Sequence, residues 1–250
     1  MIRVKIVSLL FMGLILSCNT AKKEKSEETL AESEAVEIQD MSAPNTLTEE
    51  EVIARSDCVV ASTPYEFDDL LEHYSADPAA LCTSPPGIRH DIFKPGDKTE
   101  ARMWAGLGDH PLIVFAGRIQ PLKGIDTAIE ALARLLPTSS PAQLVVIGGP
   151  SGNGGEEELT RLHHLVDDLD VAGRVHFVPP VAHDQLASFY QAADIVIMPS
   201  RSETFGLVAA EAQACGTPVV AANVGGLPYI IENHKSGLLV TGHDPDDYAT

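Results

Sequence analysis

From Pro111 onward the chain alternates short apolar runs with helical patterns, and this alternation restricts the fold more than any other feature. Leu112 to Ala116 is an unbroken apolar run, as expected of a parallel strand buried on both faces. Helical spacing follows from Lys123 to Leu136. Then come strand Leu144 to Ile147, helix Glu156 to Leu169, strand Val175 to Val178 and helix Asp184 to Ala192. Strand Ile195 to Met198, helix Leu207 to Ala214, strand Pro218 to Ala221 and strand Gly237 to Val240 complete the series. Strands alternating with helices, with glycines at the junctions, predict an α/β fold with a doubly wound parallel sheet. Such sheets take ligands at the carboxyl ends of their strands, near a switch in strand order.

Upstream the signals are shorter. Thr48 before Glu49, Glu50 and Glu51 reads as a helix N-cap with an acidic first turn. Cys58 to Ala61 reads as a short strand, Tyr65 to Tyr74 as a helix, and Pro85-Pro86-Gly87 as a hard stop. His90 to Met103 has weak periodicity and reads as a connector.

The N-terminus is of another kind. Arg3 and Lys5 precede the apolar run Ile6 to Leu16, then Ser17 and Cys18, the pattern of a secretory signal. The run is shorter than the ~20 residues a membrane-spanning helix needs. Ile15-Leu16-Ser17-Cys18 resembles the bacterial lipoprotein box, which implies a lipid anchor at Cys18; a buried strand followed by an ordinary cysteine is the alternative. Asn19 to about Asn45 is charged and carries no aromatic residue, so an acidic solvated linker is expected there.

Composition narrows the function classes. Among 250 residues, Asp and Glu outnumber Lys and Arg by 36 to 17, a net charge of −19, which argues against a nucleic-acid surface. A small basic pocket for phosphate stays open, because a few local charges set the field in a cleft. The four cysteines make no disulfide framework and show no C-x-x-C spacing, so no structural zinc is expected; Cys58, Cys82 and Cys215 read as buried free thiols.

Four features fall at strand ends. After the strand ending at Ala116, Gly117 permits a sharp turn, and Arg118 and Lys123 flank it; two fixed cations there suit a diphosphate, though the same spacing suits a solvated basic turn. Gly148-Gly149-Pro150-Ser151-Gly152-Asn153-Gly154-Gly155 carries five glycines, open to close approach by a ligand or simply flexible; it is neither a G-x-G-x-x-G nor a Walker loop. After Met198, a loop carries Glu203 and a helix starts near Gly206, with Glu211 about 7.5 Å along its axis. Free amides from Gly206 to Val208 and the positive end of the helix dipole make an anion site between two carboxylates, matching the hydroxyl–phosphate–hydroxyl order of a nucleoside diphosphate sugar. Two unrelated acids eight residues apart would give the same spacing. Finally, Gly216-Thr217-Pro218 and Gly225-Gly226-Leu227-Pro228 flank a strand, lining the cleft or shaping turns.

Taken in order, Gly117 to Gly124, Gly148 to Gly152, the Glu203–Glu211 pair and Gly216-Thr217-Pro218-Val219-Val220-Ala221 resemble the family 4 glycosyltransferases of the GT-B fold, in particular the inositol-phosphate N-acetylglucosaminyltransferases of mycothiol synthesis. The resemblance implies a Rossmann-like donor-binding domain over 111–250, a connector at 93–110 and a truncated N-terminal domain remnant at 48–92, which follow the linker at 19–47 and the signal at 1–18 read above. It implies retaining transfer of a hexosyl group from a UDP-sugar to a hydroxyl acceptor, without cofactor or metal. Arg118 and Lys123 would hold the diphosphate, Glu203 the sugar hydroxyls beside Thr204 and the amides of Phe205 and Gly206, the amides of Leu207 and Val208 a phosphate, and Glu211 the ribose; Gly117 and Gly148 would line the site and the base would lie near Val181. Arg118, Lys123 and Glu203 would be the catalytic set. The chain departs from the family in Arg89, where an acid is usual, in the missing bulk of the acceptor domain, and in stopping at Thr250. Impaired activity as an isolated fragment is therefore expected. A cytoplasmic donor and an exported lipoprotein conflict over localisation, and the alternative function is a non-catalytic, membrane-tethered module for a phosphorylated ligand.

Overall fold

The computed structural model describes residues 6–7, 48–135, 142–152 and 154–250. The expected lipid site Cys18, the linker, Leu136 and Asn153 lie outside the described residues. The described residues fall into two compact units, one within 1–61 and 67–82, the other within 62–66 and 83–250.

The first unit carries a three-stranded sheet in the order β1-β2-β3, with β1 at Ile6–Val7, β2 at Cys58–Ala61 and β3 at Leu81–Thr83. β1 pairs parallel to β2, Ile6 opposite Cys58. Helix α1 (Glu49–Ala54) starts as its sequence dictates: the Thr48 side chain accepts from the Glu51 amide, and the Glu51 carboxylate accepts from the Thr48 amide. Ile53, Val59, Ala61, Leu70 and Ala76 form a small core; Leu70 lies on α2 (Pro64–His73). The cysteine expectation fails here. Among the described residues only Cys215 is a buried cysteine; Cys58 is half-buried and Cys82 exposed, because both sit on this small sheet and not in the main core.

The second unit is a six-stranded sheet in the order β6-β5-β4-β7-β8-β9, every neighbouring pair parallel. Its strands are β4 Leu112–Ala116, β5 Gln143–Ile147, β6 Val175–Val178, β7 Ile195–Met198, β8 Val219–Ala222 and β9 Gly237–Val240. All five residues of β4 are buried, and their side chains alternate between two cores. Leu112, Val114 and Ala116 face a core completed by α3 (Lys98–Ala105), α6 (His183–Ala192), α7 (Leu207–Ala214) and α8 (Leu227–Ile230). Ile113 and Phe115 face the other, covered by α4 (Ile125–Arg134), α5 (Gly155–Asp168) and α9 (Pro245–Tyr248). The sheet is thus doubly wound, and the strand order reverses between β4 and β7.

Helix α3 replaces the expected connector. It buries only Ala101, so no apolar stripe announces it. Asp97 caps its N-terminus by accepting from the Glu100 amide, and Lys98 and Arg102 both pair with Asp194, just before β7. These ion pairs dock the helix together with Ala101 and an edge-on contact of Trp104 with Phe189 at 5.5 Å. The four-residue helices α8 and α9 are likewise additions to the expected pattern, being too short to show a period.

Candidate functional site

At the switch point the carboxyl ends of β4 and β7 open onto two adjoining hollows. The larger, about 430 Å³, is lined by Gly117, Arg118, Gly148, Gly149, Val181 and His183 among others. The smaller, about 180 Å³, is lined by Lys123, Ser200, Glu203 and Leu207. Ala116, Gly117, Arg118 and Val208 belong to both.

Three loops build this place. After β4 the chain turns at Gly117 and runs through a short 3-10 turn, Pro121–Lys123, into α4. After β5 it passes so close to the first loop that a Cβ on Gly148 would lie 1.8 Å from the Gly117 carbonyl oxygen. The Gly117 amide donates to the Ile147 carbonyl at 3.0 Å and the Ile119 amide to the Gly149 carbonyl at 2.9 Å, so the two loops are joined through their backbones. The third, 199–206, carries Glu203. Gly225 backs it: a Cβ there would meet the Glu203 carbonyl oxygen at 1.8 Å, and the Gly226 amide donates to that oxygen at 2.9 Å.

Lys123 and Glu203 meet directly. Lys123 Nζ donates to Glu203 Oε2 at 2.7 Å, with the side chains only 18% and 16% exposed. Arg118 is exposed, and no ion pair or hydrogen bond of its side chain is found among the described residues. Helix α7 begins at Gly206, whose residue offers no side-chain cap. The Leu207 and Val208 amides, in the first turn, have no carbonyl one turn earlier in the helix to bond. A cation without a partner, a shared ammonium and free amides at the positive end of a helix dipole all converge on one anion-sized place.

Glu211 lies deeper on α7 and lines neither hollow. The Tyr190 hydroxyl donates to it at 3.4 Å. Burial pushes its carboxyl up to about 7 against a usual 4.5, only partly opposed by Tyr190. Burial first, and then the Glu211 charge, push the Tyr190 phenol up as well. Thr204, Phe205 and Gly206 also stand outside both linings; Phe205 and Gly206 are buried, shaping the start of α7. Of the expected residues, Gly117, Arg118, Lys123, Gly148, Val181, Glu203, Leu207 and Val208 come together at the hollows.

Sequence reasoning misses a clamp. Arg201 donates through both terminal nitrogens to the two Asp126 oxygens, at 3.1 and 2.9 Å, and also to the Pro121 carbonyl at 2.6 Å. Arg161 reaches the same carboxylate at 3.1 Å while gripping Glu158 with two bonds. Together with the Arg201 amide on the Leu122 carbonyl, this fastens the Glu203 loop to the Lys123 turn. Burial works to raise the Asp126 pKa, but Arg201 and Arg161 outweigh it, so the carboxyl titrates below its usual 3.8. Its stabilising contribution is complete above 3.8 and is lost as pH falls through the lower folded value. Asp126→Asn is therefore expected to lower unfolding stability by about 1–3 kcal/mol at pH 7 and to flatten the loss of stability below about pH 4, as read by urea titrations at several pH values. An acid in the first turn of a helix is the only local hint of this role. His183, the first residue of α6, is also missed; it lines the larger hollow and rests its ring 5.9 Å from that of Phe93.

Residues 97–250, which contain every side chain of the two hollows, match the family described as glycosyl transferases group 1. The chain belongs to this family. It is 46% identical over 233 residues to the D-inositol 3-phosphate glycosyltransferase of Stackebrandtia nassauensis, covering 90% of this chain and 52% of that one. Among solved structures it is similar to the sucrose-phosphate synthase of Thermosynechococcus elongatus, with a TM-score of 0.73 and 34% identity over 80% of this chain and 49% of the other. It shares its fold with the Anabaena protein HepE, solved with UDP and glucose, with a TM-score of 0.72, 24% identity, and 79% and 53% of the two chains covered. The chain spans about half the length of the curated relatives it matches. The group 1 domain accounts for the GT-B type of sheet seen here, and its switch point holds the hollows.

Proposed function

We propose that the second unit is the donor half of a retaining glycosyltransferase, binding a UDP-sugar across the two hollows. The observation that carries this is the Lys123–Glu203 pair at 2.7 Å beside Arg118 and the free amides of α7. A pyrophosphate needs fixed positive charge and donors, which Arg118, Lys123 and the α7 amides supply. A sugar needs acceptors for its hydroxyls, which Glu203 supplies from the other side of the same ammonium. The larger, mostly apolar hollow beside Gly148, Val181 and His183 suits a flat base. As the sugar–phosphate bond breaks, negative charge grows on the leaving diphosphate. Arg118 and Lys123 offset that charge, so no metal is needed in this scheme. Transfer by the 250-residue chain on its own is proposed to be slow, with the acceptor held by parts that its relatives possess and this chain does not match.

Calorimetric titration of the full chain with UDP tests the reading. One saturable site is expected, unchanged by a chelator such as EDTA. No heat of binding from folded protein would overturn the reading.

Glu211 supplies a second test. In this scheme its carboxylate accepts from the ribose hydroxyls, which only the ionised form does with both oxygens. With a pKa near 7, UDP should bind more tightly at about pH 8.5 than at about pH 5.5, and Glu211→Gln should shrink that step to the part set by the terminal phosphate of UDP, whose second proton leaves at about pH 6. The sign for stability is opposite. A raised folded pKa makes the acid form the favoured one, so this group's contribution to stability is lost as pH rises from 4.5 through 7. The Glu211 contributions to binding and to stability, read as wild type minus Glu211→Gln over the same pH range, should therefore move in contrary directions.

A further inference from the structure

In the first unit, Cys58 Sγ and Cys82 Sγ lie 3.3 Å apart on the neighbouring strands β2 and β3. No residue of this unit lines the donor hollows. Strands β2 and β3 are neighbours, and the two sulfurs have only to close from 3.3 Å to the ~2.05 Å of an S–S bond. One thiol is exposed and the other half-buried. No group of three His, Cys, Asp or Glu side chains that could hold a metal occurs among the described residues, so the pair has no third ligand to make it a metal site.

We propose that Cys58 and Cys82 form a reversible disulfide, a redox modification site that ties β3 to β2 across 24 residues of chain. The oxidant class is a low-molecular-weight disulfide. The exposed Cys82 thiolate attacks one sulfur of that disulfide, forming a mixed disulfide and expelling the first small thiolate. The Cys58 thiolate then attacks the Cys82 sulfur and expels the second. The protein loses two electrons and two protons; the small disulfide gains both and leaves as two thiols. Cys58 suits the second, resolving role. Its hydrogen bond with Cys82, then burial, raise its pKa, so it is the less reactive thiol toward solvent yet already in contact with its target. Closing the link restricts the unfolded ensemble of residues 58–82 and so strengthens this small sheet.

The test uses the full chain, reduced and then equilibrated with glutathione and glutathione disulfide, followed by acid quenching and peptide mass mapping. Wild type is expected to yield one cross-linked peptide pair carrying Cys58 and Cys82, short of two hydrogens, with no glutathione kept on either residue and loss of Cys82 alkylation by iodoacetamide. Cys58→Ser is expected to keep one glutathione on Cys82. Retention of glutathione on Cys82 in the wild type, a link from either residue to Cys18 or Cys215, or full reduction at every ratio would overturn the proposal. Since the wild-type chain gives the deciding outcome, misfolding of a variant leaves the test intact.

Discussion

Lys123→Ala is expected to weaken UDP binding about 10- to 100-fold, while Glu203→Ala is expected to bind UDP at least as tightly as the wild type. A charged hydrogen bond to a phosphate contributes about 1.5–3 kcal/mol, and each ~1.4 kcal/mol is a factor of ten. Lys123 is positioned to give that contribution because its ammonium is already fixed, 18% exposed and held by Glu203. The carboxylate is the reason the two variants part company. In the free protein it competes for the same ammonium and repels an arriving diphosphate; once removed, the ammonium is released to the phosphate. What Glu203→Ala should lose is the added affinity of a UDP-sugar over UDP. Calorimetry with both ligands on both variants reads this directly. If the two variants weaken UDP to the same extent, the pair is a structural brace and the sugar-side role of Glu203 is wrong. Lys123→Ala also strands a largely buried carboxylate, so a fall in unfolding stability of about 1–3 kcal/mol should accompany it in urea.

Gly148→Ala should do more damage than any side-chain truncation at the site. Its new methyl would sit 1.8 Å from the backbone oxygen of Gly117, at a φ of 155°. Neither atom belongs to a side chain that can rotate away, so one loop must leave the other. The Gly117–Ile147 and Ile119–Gly149 hydrogen bonds then break, and Arg118 moves with its loop. A loss of about 2–4 kcal/mol in urea and undetectable UDP binding are expected. Gly173→Ala is the control. A Cβ there meets nothing within 4 Å, and the residue precedes β6 at the end of the sheet opposite the site. It should stay within about 0.5 kcal/mol of wild type. Wild-type UDP affinity in Gly148→Ala would mean that loop contact does not position Arg118.

Much of this architecture is legible in the order of residues. The strands β6, β7 and β9 and the helix α7 fall where the apolar pattern places them, and β7 does so with three of its four residues buried. Helix α3 is not legible, since the Asp194 carboxylate that docks it lies more than ninety residues away in sequence. The site divides in the same way. Gly117, Arg118, Lys123 and Glu203 stand out because they lie in the loops that follow apolar strands.

The sequence alone therefore determined the strands of the large sheet and the longer helices beside them, and which residues stand at the carboxyl ends of those strands. Periodicity and burial are local properties of the chain, written every two or every ~3.6 residues. Only the tertiary structure decided which ends become neighbours. β4 lies beside β7, so Lys123 reaches Glu203 across 80 residues and Arg201 reaches Asp126 across 75. Tyr190 meets Glu211 because α6 packs on α7, and Cys58 meets Cys82 because β2 adjoins β3. Ion pairs, buried acids and thiol contacts depend on the order of strands in a sheet, and no local pattern of residues encodes that order.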